Sequence, residues 1–309
     1  MNFEKLSAKL EGFNHYYESE LKPKLLDLEL RRKKASSLLK KATVVVVIIA
    51  IVIIISMGSD APFIFILIGG SIIFGFFKRR VTAVEREAKM NVMPILCEYL
   101  GFNYSNEPRI NKLKQFENLS IIASHNREYR EDEISGQLSE VDFWLQEAKL
   151  VKVSGTGKNK TRRTVFKGLL CHFDFHKNFK STTIGKKDWT AFGNFFTGAF
   201  TAGEKVKLED PEFERKFEIY STDQVEARYL LTPGFMQRML DLLGSGHTNS
   251  IQFAFDDGKL YMALESSKKF FEGGGHDLNK PEFVFSIIND ISLMFEIVKT
   301  LNLTQKTKI

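Results

Sequence analysis

One long apolar stretch, residues 42–77, dominates the first third of the chain and contains a single charged side chain, Asp60. As one helix it would extend about 54 Å, whereas the hydrocarbon core of a bilayer is about 30 Å thick. Residues 57–62 combine a glycine, a turn-forming aspartate and a proline, so we expect the chain to reverse there. The pattern predicts a transmembrane hairpin with spans at residues 42–57 and 61–77. A hairpin buried inside a soluble protein is the alternative.

Basic side chains flank both ends of this stretch, while the turn at residues 57–62 contains neither Lys nor Arg. Because positive charge is retained on the cytoplasmic side, both termini are expected in the cytoplasm. Ser71 and Gly75 form a small-residue seam at which the two spans could approach closely.

Helical stripes extend the hairpin on both sides. Residues 1–41 show an amphipathic pattern interrupted at Pro23, and residues 78–101 continue the second span as a stalk that bends at Pro94 and stops at Gly101. The pattern does not decide whether residues 1–41 pack on this stalk or on the domain that follows.

Residues 102–309 change to a mixed pattern. Segments 119–123, 140–153 and 164–175 are rich in strand formers, and residues 155–159 predict the turn of a long hairpin. Asp257 and Gly258 predict a second hairpin, and helices are expected after Thr232 and from Pro281. The sequence therefore predicts an α+β cytoplasmic domain with an antiparallel sheet and flanking helices.

Charge and cysteine content limit the expected partners and the expected redox state of the cysteines. The net charge is +6, but residues 1–100 hold fifteen Lys and Arg against ten acids, and residues 101–309 hold twenty-nine against twenty-eight. This excess beside the membrane favours contact with anionic lipid and makes nucleic acid an improbable partner. Cys97 and Cys171 are expected to remain reduced thiols in the cytosol.

The turn of the long hairpin is strongly basic. Between residues 149 and 187 the chain holds eleven Lys and Arg and a single acid, Asp174. We expect this loop to contact anionic lipid headgroups or a phosphorylated partner, with a merely solvated loop as the alternative. The candidate anionic-ligand residues are Lys158, Lys160, Arg162 and Arg163.

His172, Asp174 and His176 alternate on one predicted strand and have the chemistry of metal ligands. The outer two would lie about 13 Å apart along a strand, so one ion cannot bind all three. We therefore predict no metal site and no cofactor. No nucleophile has a recognisable partner spacing, so no catalytic residue is assigned and enzymatic activity is left open.

Residues 223–233 begin with a helix-capping pattern. Asp223 and Glu226 have capping-box spacing at the start of residues 223–233, and Phe213 and Phe217 precede them. This run, together with Phe166-x-Gly168 and Asp174-Phe175, resembles the bacterial membrane proteins grouped as domain of unknown function 3137. The resemblance spans nearly the whole chain, including the membrane hairpin, and implies this architecture for a protein of the bacterial inner membrane. It brings no established catalytic residues.

Within the same run, Glu226 and Arg228 are candidates for an internal ion pair or a recognition contact, and the structural role is favoured because unpaired internal charge is costly. We expect a membrane-anchored cytoplasmic interaction or scaffold module with a protein partner. The alternative is a membrane-bound enzyme or sensor that acts on an anionic lipid or phosphate-bearing ligand.

Overall fold

The computed structural model describes residues 12–57, 63–107, 111–187 and 203–304. Its contacts divide the chain into two compact units. The helical unit comprises Leu10–Met93 and Glu272–Ile288, and the sheet unit comprises Pro94–Phe271 and Asn289–Ile309.

Two long helices form most of the helical unit. A π-helical turn, Tyr17–Leu21, leads into helix α1 (Lys22–Met57), and helix α2 covers Phe63–Leu100 with Pro94 inside it. The helical stretch Gly12–Ser56 is long and apolar enough to span a membrane, since its most apolar window has a mean hydropathy of 2.8 and none of it is buried. Of the predicted turn at residues 57–62, all but Met57 lies outside the described residues.

Helices α1 and α2 contact each other at two levels. Near one end, both guanidinium nitrogens of Arg31 donate to the Glu87 carboxylate at 2.8 Å. Further along, a Cβ added at Gly70 would lie 3.2 Å from a methyl carbon of Val46. The α2 numbers fall as the α1 numbers rise, so the helices run antiparallel. Close approach therefore occurs at Gly70, one position away from the predicted seam, and Ser71 is exposed.

The segment Glu272–Ile288 packs on the base of these helices through polar contacts. The buried Glu29 carboxylate accepts a hydrogen bond of 2.9 Å from the backbone N–H of Leu278, and Arg32 pairs with Asp277 at 2.7 Å. The buried ammonium of Lys89 pairs with Glu272 at 3.0 Å. The described part of residues 1–41 thus contacts both the predicted stalk and a segment from near the chain end.

In its described residues the sheet unit forms a nine-stranded sheet in the order β1-β2-β3-β4-β9-β8-β5-β7-β6, in which every pairing is antiparallel. The strands are β1 (Asn103–Ser105), β2 (Arg127–Leu138), β3 (Val141–Ser154), β4 (Thr161–Asp174), β5 (Thr183–Lys186), β6 (Glu204–Val206), β7 (Glu218–Ser221), β8 (Ser250–Asp256) and β9 (Lys259–Glu265). The predicted α+β class with a large antiparallel sheet is confirmed in this coarse form.

Tight turns fix the register of this sheet. Asp257 and Gly258, both at positive φ, join β8 to β9 as predicted, because this left-handed pair matches the twist of the flanking strands. The predicted strand at residues 119–123 is wrong. Ser120 has φ 53°, which breaks an extended run, and Ile121 and Ile122 are buried as an irregular segment.

Helices cover both faces of the sheet. Helix α3 (Leu113–Asn118) and the segment after it pack on one face. There the ring centres of Phe116 and Trp144 lie 5.9 Å apart. On the other face, α6 (Pro233–Gly244) packs Phe235 against Phe255, with their ring centres 5.5 Å apart. The remaining helices are α4 (Pro211–Lys216), α5 (Gln224–Leu230) and α7 (Pro281–Thr300).

Candidate functional site

The basic hairpin predicted from the sequence is the turn between β3 and β4. Lys160, Arg162 and Arg163 are exposed, whereas the side chain of Lys158 lies outside the described part. Lys152 of β3 pairs with Arg163 of β4 in the register. Directly paired residues of an antiparallel ladder share one face, so these two cations lie side by side.

A cavity of about 700 Å³ lies beside this hairpin. Its wall on the hairpin side includes Lys152 and Arg163, and its opposite wall comes from the starts and ends of β8, β9 and β5. Three cations therefore line it, against one carboxyl among the described residues. They are Lys152, Arg163 and Lys187, and the carboxyl is Glu265.

The opposite wall is polar and partly buried. Burial raises the pKa of Glu265, and nearby Lys187 opposes this rise. Gln252 is 5% exposed, and its side-chain oxygen has no hydrogen-bond partner among the described residues. Because an unpaired buried acceptor costs about 1–3 kcal/mol, this oxygen is well suited to accept a hydrogen bond from a bound molecule.

Helix α5 begins with a side-chain cap, as its sequence predicts. The Asp223 carboxylate accepts from the backbone N–H groups of Val225 and Glu226 at 2.7 and 3.0 Å. Glu226 does not complete a capping box. Its carboxylate accepts from the backbone N–H groups of Ser181 at 2.7 Å and Lys180 at 3.0 Å. Hydrogen bonds from Ser181 and Lys180 lower the pKa of Glu226.

Arg228 has a different environment. It is exposed, and its guanidinium donates to the backbone oxygen of Gln224 at 3.1 Å. No ion pair joins it to Glu226 in the described part, because residues two apart point about 200° away from each other around a helix. The two candidates therefore separate into a carboxylate that holds a loop and an exposed arginine.

The face of α5 that carries Arg228 is open. Val225 is 77% exposed and Tyr229 is 36% exposed, at the spacing of neighbours on one helix face. The Lys177 ammonium lies 4.4 Å from the centre of the Tyr229 ring, in cation–π geometry. Tyrosine and arginine are enriched where proteins bind one another.

The predicted alternation of His172, Asp174 and His176 on one strand is not met, because β4 ends at Asp174 and His176 lies beyond it. His172 stacks on Trp144 at 5.4 Å, and burial lowers its pKa to about 4. Asp174 pairs with Lys259 at 2.5 Å. Across the described ranges, no three His, Cys, Asp or Glu side chains are grouped so as to hold a metal ion.

Sequence reasoning found Arg163 but missed the other groups around the cavity. Lys152 alternates with Ser154 on β3, which places both on the face that carries Arg163. The position of Lys152 could therefore have been predicted from the alternation of residues along the hairpin. Lys187, Gln252 and Glu265 come from strands that are distant in sequence, so only the sheet order brings them to the cavity.

Comparison with known proteins gives one structural alignment and one family match over part of the chain. The crystal structure of the mycobacterial trehalose monomycolate transport factor A, TtfA, aligns over 69% of this chain and 96% of its own, with 8% identity and a TM-score of 0.35, which supports no inference. No curated protein sequence matches the chain. Residues 164–303 match the family described as "Protein of unknown function (DUF3137)", and over this part of the chain the resemblance seen in the sequence is confirmed.

Proposed function

We propose that the chain is anchored in the bacterial inner membrane by two spans, residues 42–57 and 61–77, with both termini and the sheet unit in the cytoplasm. The exposed apolar surface of α1 supports the anchor, with Ile55 78% and Val52 58% exposed. Soluble proteins rarely expose contiguous apolar surface of this extent. The antiparallel contacts between α1 and α2 and the basic residues at both ends of the stretch fit the same topology.

The proposed role of the sheet unit is to bind an anionic ligand in the cavity beside the basic hairpin. The observation that carries this proposal is the convergence of Lys152, Arg163 and Lys187 on one concavity whose described lining has a single carboxyl group. Arginine forms paired hydrogen bonds to phosphate and carboxylate, and lysine adds a point charge. The module would act as a sensor of such a ligand at the membrane surface.

The test compares two double variants of the full chain in neutral nanodiscs. Lys152→Ala with Arg163→Ala removes two cavity cations, whereas Lys160→Ala with Arg162→Ala removes the same charge from exposed hairpin positions outside the cavity lining. We expect the first pair to weaken binding of inorganic phosphate at least about tenfold and the second to change it less than about threefold. Equal losses would show diffuse attraction and overturn the cavity assignment.

A second candidate function is protein binding through the open face of α5, which would make the chain an interaction or scaffold module. Val225, Arg228 and Tyr229 form an exposed patch on a helix whose other side is fixed by Glu226. A photo-crosslinking residue at Val225 in intact membranes should capture a defined partner, and Arg228→Ala should abolish the product. The same probe at exposed Gln237 of α6 is the control. Equal crosslinking from both positions would contradict a specific surface.

A further inference from the structure

We infer that the cavity takes a phosphorylated polyol, meaning a phosphate monoester attached to a group that has several hydroxyls and no nucleobase. This inference rests on the proposed function and names its ligand class. Its basis is that the cavity carries a cationic wall, a wall of hydrogen-bond acceptors, and more space than a bare anion requires.

The size of the cavity is the first argument. Its volume of about 700 Å³ lies within the range of about 300–1,000 Å³ that is typical of small-molecule sites. A bare phosphate would occupy only a small part of this space. The ligand is therefore larger than the charged group that the cations attract.

The cations define where the phosphate binds. Lys152 and Arg163 are cross-strand neighbours on one face of the sheet, so an ammonium and an arginine fork lie side by side on the cavity wall. Lys187 adds a third positive charge from the end of β5. Three cations opposed by one carboxyl suit a dianion better than a monoanion, since each added charge strengthens the attraction.

The acceptors on the far wall argue against a bare dianion. Ser250 pairs with Glu265 across β8 and β9, and Gln252 follows two residues later on the same face. The Gln252 oxygen is a buried acceptor without a partner in the described part, and Glu265 offers carboxyl oxygens. Inorganic phosphate as a dianion has a single O–H to donate to them, whereas a polyol has several hydroxyls.

The same lining disfavours a nucleotide. None of the described lining residues is aromatic, so no ring is available on which a base could stack. Stacking on an aromatic side chain is worth about 1–3 kcal/mol per base in sites that use it. The cavity instead presents serine and threonine hydroxyls beside the acceptors, which match hydroxyl groups of a ligand.

Two sources share this chemistry, namely a soluble sugar or glycerol phosphate and the headgroup of a phosphomonoester lipid. The experiment measures binding of inorganic phosphate, glycerol 3-phosphate, inositol 1-phosphate and AMP to the full chain in neutral nanodiscs. We expect both polyol phosphates to bind at least about tenfold more tightly than inorganic phosphate and AMP. Nanodiscs containing phosphatidylinositol 4-phosphate form a second arm, where competition with inositol 1-phosphate would identify a lipid source and unchanged binding a soluble one.

Variants separate this inference from the proposed function. Gln252→Leu keeps the size of the side chain but removes its acceptor, so it should reduce the preference for polyol phosphates to about threefold or less while inorganic phosphate still binds. Ser250→Ala is a milder second variant, and thermal unfolding checks that both fold. AMP binding as tightly as the polyol phosphates, or an unchanged preference in both variants, would overturn the inference and leave anion binding intact. Absence of binding by all four compounds would overturn the proposed function as well.

Discussion

The carboxylate of Glu226 accepts a hydrogen bond of 2.7 Å from the backbone N–H of Ser181, forty-five residues earlier in the chain. A second bond from the N–H of Lys180 means that one side chain fixes the loop before β5 to helix α5. Glu226→Ala should therefore lower the free energy of unfolding by about 1–3 kcal/mol, because two backbone donors lose a charged acceptor. Chemical denaturation of the full chain in detergent measures this loss.

Glu226→Gln is the matched variant for that prediction. The amide keeps one acceptor oxygen but loses the charge, so we expect a smaller loss of stability than with alanine. A loss as large in glutamine as in alanine would indicate that charge rather than hydrogen bonding fixes the loop.

Arg228→Ala should have little effect on stability, within about 0.5 kcal/mol, since the guanidinium is exposed and not paired with Glu226. An internal ion pair, the role that the sequence favours, would instead cost about 3–5 kcal/mol on removal of one partner. Thermal unfolding of Arg228→Ala beside wild type distinguishes the two. A large drop in Tm would restore the structural role and weaken the partner surface proposed on α5.

Stability should fall in acid through His172. Burial, aided by nearby Lys112, lowers its folded pKa to about 4, whereas an unfolded histidine titrates near about 6.5. Between these values the unfolded chain binds more protons, so stability rises with pH and is lost as pH falls from about 6.5 towards about 4. The full difference corresponds to about 3 kcal/mol.

Replacing His172 by Phe should flatten that pH profile of the unfolding free energy. Burial also lowers the pKa of His176, so some dependence will remain. Replacing the exposed His276 by Gln is the control for the loss of one histidine. A His172→Phe profile identical to that of wild type would contradict the assignment.

Gly168 is required by a close approach between strands. Its φ of 151° is unfavourable for other residues, and an added Cβ would lie 2.0 Å from the Leu264 carbonyl oxygen. Gly168→Ala should destabilise the chain by about 3 kcal/mol or more, because β4 and β9 would have to separate. Gly234→Ala, where an added Cβ meets nothing within 4 Å, is the matched control and should be neutral in thermal unfolding.

The buried carboxylate of Glu29 supports the helical unit. It accepts from Arg32 at 2.9 Å and from the backbone N–H of Leu278 at 2.9 Å. Glu29→Ala should cost about 3 kcal/mol or more in unfolding free energy, because a buried donor loses its acceptor and Arg32 loses one partner. Lys22→Ala, which breaks an exposed pair with Glu18, should cost less than about 1 kcal/mol. Equal losses would contradict the role of burial.

Local patterns explain how much of this fold could be predicted. The turn at Asp257 and Gly258 and the cap at Thr232 are decided by neighbouring residues, and both are confirmed. The apolar run at residues 119–123 has the composition of a strand, but burial against Phe116 can be achieved without extended backbone. At these residues the composition predicts burial correctly but does not determine the backbone conformation.

Only the part of the candidate site that lies on the hairpin between β3 and β4 could be predicted from the sequence. Arg163 lies on a hairpin whose turn is visible in the sequence, whereas Gln252 and Glu265 reach the cavity because β9 pairs with β4 and β8 with β9. These pairings depend on tertiary packing across the sheet. Glu226 was identified from its position in residues 223–233. Its partners are backbone N–H groups at residues 180 and 181, and no sequence pattern predicts that these donors lie beside it.

The bond between Glu29 and Leu278 joins positions 249 residues apart, and it bears on the order of synthesis. When the ribosome has made the N-terminal helices, the segment that supplies Leu278, Asp277 and Glu272 has not yet been translated. Until residues 272–278 have emerged, the Glu29 carboxylate therefore lacks the Leu278 N–H, although Arg32 of the same helix can already pair with it, and the Lys89 ammonium lacks Glu272. Completion of the helical unit is thus a late event in biogenesis, although most of its residues are made first.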